Sequence, residues 1–376
     1  MIRVLAIGLW LMISSSDVYA FPEMVRHSYQ NCTSCHVSPG GGGLLTPYGR
    51  SLSRELLSQA PREESSEGEF LYGTVRLPEW LNLGGQGRLL QMVQDTTQAF
   101  EARFVVMQVD LEAAAKVSRF TALATLGRQD PVSGGQVQWS DFLISRRHWL
   151  QAQLLPEDRE EALSLRAGRF YPVFGLMNPD HLWATRFGLG FGPGAESYNV
   201  EAMWTQASAA GTLTAITGRL DRPASEREWG VAADLSLALG DNSRIGFSGK
   251  TSKPYGQGEQ SRKTAVGVHA LTSFSTHLYG LNEVDGLIHG DGGTGLAQAS
   301  KFGWEFTQGV HLYAVEDFLR TRWGDDLAPA FFDLAGGLLY YPRPHFELSA
   351  QVGVQFTPYS AGRANPVGWL QLHFWL

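Results

Sequence analysis

The sequence predicts an all-β transmembrane β-barrel of about sixteen antiparallel strands, preceded by a small N-terminal segment with one short helix. Three observations lead there. Charged residues make up only 18% of the 376, while glycine reaches 43 residues and aromatics 11%. From Trp80 onward, apolar and polar side chains alternate with a period of two. After Ala20, no apolar stretch approaches the roughly 20 residues that a membrane-spanning helix needs. Such a composition suits strands with lipid on one face and a polar lumen on the other.

The first twenty residues read as a secretory signal. Arg3 supplies the positive start, Val4 to Ile13 the short apolar run, and Val18-Tyr19-Ala20 a small-residue cleavage site. That run is too short to span a membrane. The expected organisation is therefore a signal peptide over 1–20, a small segment and linker over 21–76, and the barrel over 77–376. The formal charge is −7 and there is no basic block, which argues against a nucleic-acid partner. No Ser/His/Asp set, phosphate loop or paired-carboxylate site rises above chance.

Residues 21–60 differ from the rest. "NCTSCH" holds the only two cysteines of the chain, Cys32 and Cys35, with His36 directly after the second. Three chemistries compete for this pattern. A disulfide between the two would close a tiny loop and staple little. A zinc site normally needs four ligands, and no second C-x-x-C or H-x-x-x-H follows. Covalent haem c uses all three residues: two thioether bonds from the thiols and an axial imidazole from His36. Export and haem c attachment also agree on the compartment. The reading is one haem c on Cys32 and Cys35, with His36 as metal ligand. The alternative is a redox dithiol.

After the motif, Pro39 and Gly40 to Gly43 suggest a flexible turn. "TPYGRSLSRELLSQAP" then reads as a short helix, capped by Thr46 and started by Pro47. Leu52, Leu56 and Leu57 recur at helical spacing. Residues 62–69 read as an acidic linker. Arg50 is the candidate partner of a haem propionate, since a guanidinium matches a carboxylate at two points; a solvated helix charge is the alternative.

The predicted strands are 80–92, 102–115, 118–128, 142–155, 162–171, 196–206, 210–219, 228–239, 243–252, 263–273, 277–286, 299–306, 310–319, 329–341, 345–357 and 367–376. The break at 307–309 follows from Gln308, which a continuous strand would place on the lipid face. With that break the count is even, and both ends fall on the periplasmic side. Lumen-facing Arg88, Arg166, Asp110, Glu112 and Asp234 are candidates for an ion path or for keeping the interior wet. Tyr340, Trp304, Trp229 and Phe374 read as aromatic-girdle anchors. The longest outer connection, 172–195, is rich in apolar residues and is expected to fold into the lumen. A sixth iron ligand is sought first at His181 in that loop. Met177, Met24, His27, His269, His311 and His373, or an open iron, are the other options.

About 40 residues make little core of their own. A barrel of this size encloses a lumen wide enough to receive the segment. The haem segment is therefore expected to plug the periplasmic side of the lumen, with the wall completing its pocket.

The order of these elements resembles the fused monohaem cytochrome–porins of bacterial outer membranes. The matching residues are Cys32, Cys35, His36, Leu45, Tyr48, Gly49 and Arg50. This chain differs from the iron-oxidising type in its glycine tract, 40–43, and in a shorter barrel. The resemblance implies electron transfer across the outer membrane. One side is an extracellular donor or acceptor such as ferrous iron, and the other a periplasmic c-type cytochrome. One haem does not bridge an apolar band about 25 Å tall unaided, so a partner must enter the lumen mouth. A passive porin with a plug or sensor segment is the rival reading, and a structural role for the haem is a second.

Overall fold

A computed structural model of the chain describes residues 23–376 apart from 28, 30, 31, 39, 61–69, 96–98, 129–143, 157, 158, 178–182, 192–194, 221, 326 and 359–362. Sixteen antiparallel strands close into a barrel, each paired to its sequence neighbours, with the last paired to the first. They are β1 (Leu81–Asp95), β2 (Phe100–Val117), β3 (Phe120–Arg128), β4 (Ile144–Gln153), β5 (Ala162–Phe170), β6 (Ser197–Gln206), β7 (Ala209–Gly218) and β8 (Glu228–Ala238). They continue with β9 (Ser243–Pro254), β10 (Lys263–Ser273), β11 (Leu278–His289), β12 (Thr294–Thr307), β13 (Val310–Arg320), β14 (Ala330–Tyr340), β15 (Phe346–Phe356) and β16 (Asn365–Trp375). Closure runs from Gln86 opposite Trp375 to Gln94 opposite Val367. A closed barrel satisfies every strand within the sheet, which is what lipid requires.

The two faces follow the predicted alternation. On β8, Trp229, Val231, Leu235 and Leu237 point outward, while Asp234 and Ser236 are buried inside. On β15, Phe346, Leu348, Val352 and Phe356 are outside and Ser349 inside. On β16, Leu370 and Phe374 face out and Gln371 faces in. Trp304 also points outward, as a girdle anchor should.

The predicted break between β12 and β13 is present, with Gly309 at φ 75°. Gln308 donates to the carbonyls of Glu55 (2.8 Å) and Ser58 (2.9 Å), so this turn grips the N-terminal segment. One boundary differs markedly: β12 begins at Thr294 rather than 299. Its lumen face there carries Ala297 and Ala299, which pack under the inturned loop with Ala184 and Trp183. An apolar lumen face erases the polar half of the alternation.

The long connection between β5 and β6 does fold into the lumen. Among its described residues, Phe174 and Phe191 pack on Ala265 and Leu287. The short helix α2 (Ala184–Phe187) touches β11, β12 and β13. The amide of Ala184 donates to the Asp317 carboxylate at 2.9 and 3.0 Å.

The N-terminal segment enters the lumen from the side of the short turns. A 3-10 turn, Glu23–His27, lies against β10 and β11. The helix α1 (Pro47–Leu52) starts as predicted, with the Gly49 amide donating to Thr46 Oγ1 at 3.0 Å. It runs on into a π-helical turn, Ser53–Leu57. Met24, Cys35, Leu45, Leu52 and Leu57 pack on Tyr313, Val315, Leu339, Tyr341 and Trp375 of one wall. Leu44 packs on Ala114, Leu123, Trp149 and Phe170 of another. Val25 meets Trp183 of the inturned loop, so segment and loop join inside the barrel.

Arg26 fixes the entry. Its guanidinium is fully buried, ion-paired with Glu305, and stands over the Tyr279 ring at 6.0 Å. Glu305 also meets His311 at 3.4 Å. Removing one partner of a buried pair strands the other, at about 3–5 kcal/mol. Arg26→Met is expected to expose residues 23–60 to protease while the barrel keeps its heat-shifted gel mobility. The same region responds to acid. Burial, and then Arg26, holds the His27 imidazole down at about 4, with Glu305 opposing and His311 assisting. The unfolded value is about 6.5. The folded state therefore disfavours the proton, and this stability is present above pH 6.5 and lost as pH falls towards 4. Protease protection of the segment is expected to decline across that window, and less so in His27→Gln.

Candidate functional site

The two cysteines and the histidine sit on one helical turn. The amides of Cys35 and His36 donate to the Cys32 carbonyl at 3.2 and 2.9 Å. A rise of three and four residues puts Cys32, Cys35 and His36 on neighbouring positions of one surface. Gly41, Gly42 and Gly43 then follow at φ 76°, 69° and 66°. Three successive left-handed residues send the chain back. Val37 donates to Leu44 (3.0 Å) and Thr46 to Cys35 (2.8 Å), closing a small hairpin on the cysteine turn. Only glycine adopts this arc freely. It also approaches closely: a Cβ on Gly41 would stand 3.2 Å from Cys32 Sγ. The tract is thus a built arc, not merely a flexible joint. Gly49 of α1 packs equally tightly, since a Cβ there would collide with the Cys35 carbonyl.

Cys32 is exposed, Cys35 is buried, and they are not joined by a disulfide. Burial pushes the Cys35 thiol up to about 11. A redox dithiol needs accessible thiolate near neutral pH, which this site disfavours. Zinc is no better served: among the described residues, no group of three or more His, Cys, Asp or Glu could hold a metal ion. Burial also holds the His36 imidazole down at about 4, with the carbonyls of Gly43 and Gly42 offsetting in part. A neutral imidazole beside backbone carbonyls has the form of a metal-ligating histidine.

Cys32, Cys35 and His36 all border one lumen cavity of about 330 Å³. Tyr313, Tyr341 and Trp375 line it on the β13–β16 side, and Val173, Met177 and Arg186 where the inturned loop reaches it. Two thiols and one neutral imidazole therefore converge on one lumen cavity. The residues fit a covalently held haem c.

The candidates for a sixth ligand separate. Met177, His269 and His373 border the same cavity. Met24 packs with Cys35 in the core cluster, while His311 is held by Glu305 and Tyr279. His181 lies outside the described residues. Arg50 is placed differently from the sequence expectation. It is buried, but it donates to Asn82 Oδ1 (2.7 Å) and the Leu83 carbonyl of β1, and stands over Phe70. It docks α1 to the wall; it is not among the residues lining that cavity, but it borders a second one, of about 1000 Å³, together with His36.

The predicted lumen charges are all buried inside, and most are paired. Arg166 bonds Glu201 at 2.6 Å, and Glu112 accepts from Arg147 at 2.6 Å. Arg146 reaches Asp110 and Glu196, each at 3.2 Å. Sequence reasoning missed the pair Arg146–Arg147, because strict alternation sends one of them to lipid. A bulge resolves this. Register slips between Thr125 and Leu126, leaving Arg146 unpaired in the ladder, and both side chains turn inward. Two adjacent arginines in a strand were the available signal. Arg186 and the aromatic group around Trp375 were also missed.

The fold is shared with solved outer-membrane proteins. The outer membrane channel DcaP of Acinetobacter baumannii matches with a TM-score of 0.57 at 10% identity, over 79% of this chain and 97% of that one. OprB of Pseudomonas putida matches with 0.57 at 8%, over 79% and 94%. OmpT of Vibrio cholerae lacking loop L8 matches with 0.56 at 10%, over 79% and 99%. At such identity the likeness shows the fold alone. The matched share is equal in length to the barrel from Leu81 onward. No protein-family model matches the chain. No curated protein matches it in sequence. The sixteen-strand barrel has the porin-like fold of these outer-membrane neighbours.

The tight approach of α1 to the cysteine turn gives a direct check. Gly49→Ala forces the helix off the Cys35 carbonyl, an overpacking that costs about 1–3 kcal/mol. The variant is expected to raise the labelling rate of Cys35 by a small thiol reagent in protein produced without haem attachment.

Proposed function

We propose that this protein carries one haem c on Cys32 and Cys35, with His36 as an axial ligand, and exchanges electrons across the outer membrane. The single observation that carries the reading is placement. The C-x-x-C-H turn is packed inside the barrel, with both thiols and the imidazole on one cavity. When bound, haem supplies one-electron exchange at its iron, tuned by ligands and burial.

The chain's own residues do the rest. Cys35 is fixed in a core of Met24, Leu45, Leu339 and Tyr341, so the attachment point does not swing. Trp375 and Tyr313 keep water from that side. His36 stays uncharged near neutral pH. The barrel wall replaces the second half of a cytochrome that a segment this short cannot build. An extracellular donor or acceptor enters the lumen mouth; ferrous iron is the donor that the resemblance suggests. A periplasmic c-type cytochrome exchanges electrons on the other side.

A second reading has its own observation. The structural neighbours include an outer membrane channel, and the interior carries many charges. A passive channel with a plug would share both features. Two measurements on the purified protein separate the readings. Haem staining after denaturing electrophoresis is expected to be positive for the wild type and absent for Cys32→Ser/Cys35→Ser, with the barrel still folded in both. Stain-free wild-type protein that conducts ions in a planar bilayer would establish the channel reading instead.

A further inference from the structure

Among the described residues, Arg186 is a buried cation without a counterion. It belongs to α2 on the inturned loop, is only 6% exposed, and borders the cavity of Cys32, Cys35 and His36. Among the described residues, no carboxylate stands within ion-pair distance of it. Its Nη1 donates to the thioether Sδ of Met177 at 3.4 Å, a weak acceptor. Its Nε is buried without a hydrogen-bond partner. The guanidinium lies over the rings of Phe191 at 5.1 Å and Tyr171 at 5.7 Å, which orient its plane but do not neutralise it. The acidic groups that act on it from farther off are engaged elsewhere. Glu196 pairs with Arg146 at 3.2 Å, and Glu283 accepts the Leu176 amide at 3.1 Å. The neighbouring cations are unlike it, since Arg146 and Arg147 each hold carboxylates. A buried unpaired charge is strongly unfavourable unless an anion is supplied.

The geometry also ties Arg186 to the thiols. Met177, its sulfur partner, lies against the glycine arc: its Cε would be 3.7 Å from a Cβ on Gly40. The next residue of the arc, Gly41, is pressed on Cys32. Arg186 is therefore linked to the cysteine turn through Met177 and the arc, and it borders the same cavity.

We propose that Arg186 binds a carboxylate, and that this carboxylate is a propionate of the haem c proposed above, on which reading the inference rests. A guanidinium offers two parallel N–H donors matched to a carboxylate, and stacking on aromatic rings pre-orients that fork. The loop thereby closes the haem pocket opposite the wall, in the role that the sequence offered to Arg50. An anionic solute in the lumen presents the same chemistry, so the test separates the two sources.

The test uses the full-length protein in detergent as wild type, Arg186→Gln and Arg186→Lys. Haem staining comes first, then potentiometric titration at several pH values. All three proteins are expected to keep covalent haem, because attachment depends on Cys32 and Cys35. Arg186→Gln is expected to lower the midpoint potential and make it pH-dependent near neutrality, because the propionate loses the cation that keeps it ionised. Arg186→Lys keeps the charge and so most of the midpoint potential, but it moves the pH at which that potential turns. An unchanged potential and pH profile in Arg186→Gln, with haem in place, overturns the proposal. Should Arg186→Gln not assemble, Arg186→Lys still decides, since losing the fork must move the pH at which the potential turns; an unmoved value overturns it. A wild type without covalent haem sinks the haem reading separately, and with it the propionate. Reversal potentials in a potassium acetate gradient then test the solute. Anion preference lost in Arg186→Gln retains a carboxylate site, whereas an unchanged reversal potential removes it.

Discussion

The packing of Cys35 against Leu339, Tyr341 and Trp375 is the contact on which the rest of the arrangement depends. It joins the chemistry-bearing turn to the last strand and the β13–β14 wall. Without it, a segment of about 40 residues has too little apolar surface to hold its own structure. With it, the segment borrows the inside of a barrel as its core. This explains why lumen positions near the short turns are aromatic and aliphatic, when a water-filled pore would want them polar. The same logic holds on the opposite wall at Leu44, and at Val25 where segment and loop meet.

Much of this was legible in the sequence. Period-two alternation gave the strands and their faces, because lipid on one side and water on the other is a strong, local constraint. The turn at Gln308, the Thr46 cap and the inward fold of 172–195 followed from single-residue chemistry. The start of β12 was not legible, because its lumen face is buried under the loop and carries alanine. Nor was the inward turn of both Arg146 and Arg147, since a bulge changes register without a required residue type. Arg50 shows a different limit. Its chemistry suits a propionate, but the sequence does not reveal that it donates to Asn82 and Leu83.

Charge inside the barrel is sorted by partner. Arg26, Arg146, Arg147 and Arg166 each meet a carboxylate, and these pairs stitch segment and strands together. Arg186, which meets no carboxylate among the described residues, borders the cavity beside the cysteines. The glycine arc is the matching device on the segment. Its missing side chains let Cys32 and the inturned loop approach from its two sides.

The central claim is that the barrel completes a haem pocket around Cys32, Cys35 and His36. The most direct test is the reduced optical spectrum of purified protein, recorded with the barrel folded and again after heat unfolding in detergent, with haem stain on both. The account predicts sharp low-spin bands that broaden or shift when the barrel unfolds, while the stain persists on the chain. Bands indifferent to barrel unfolding, or a chain that never stains, would contradict it.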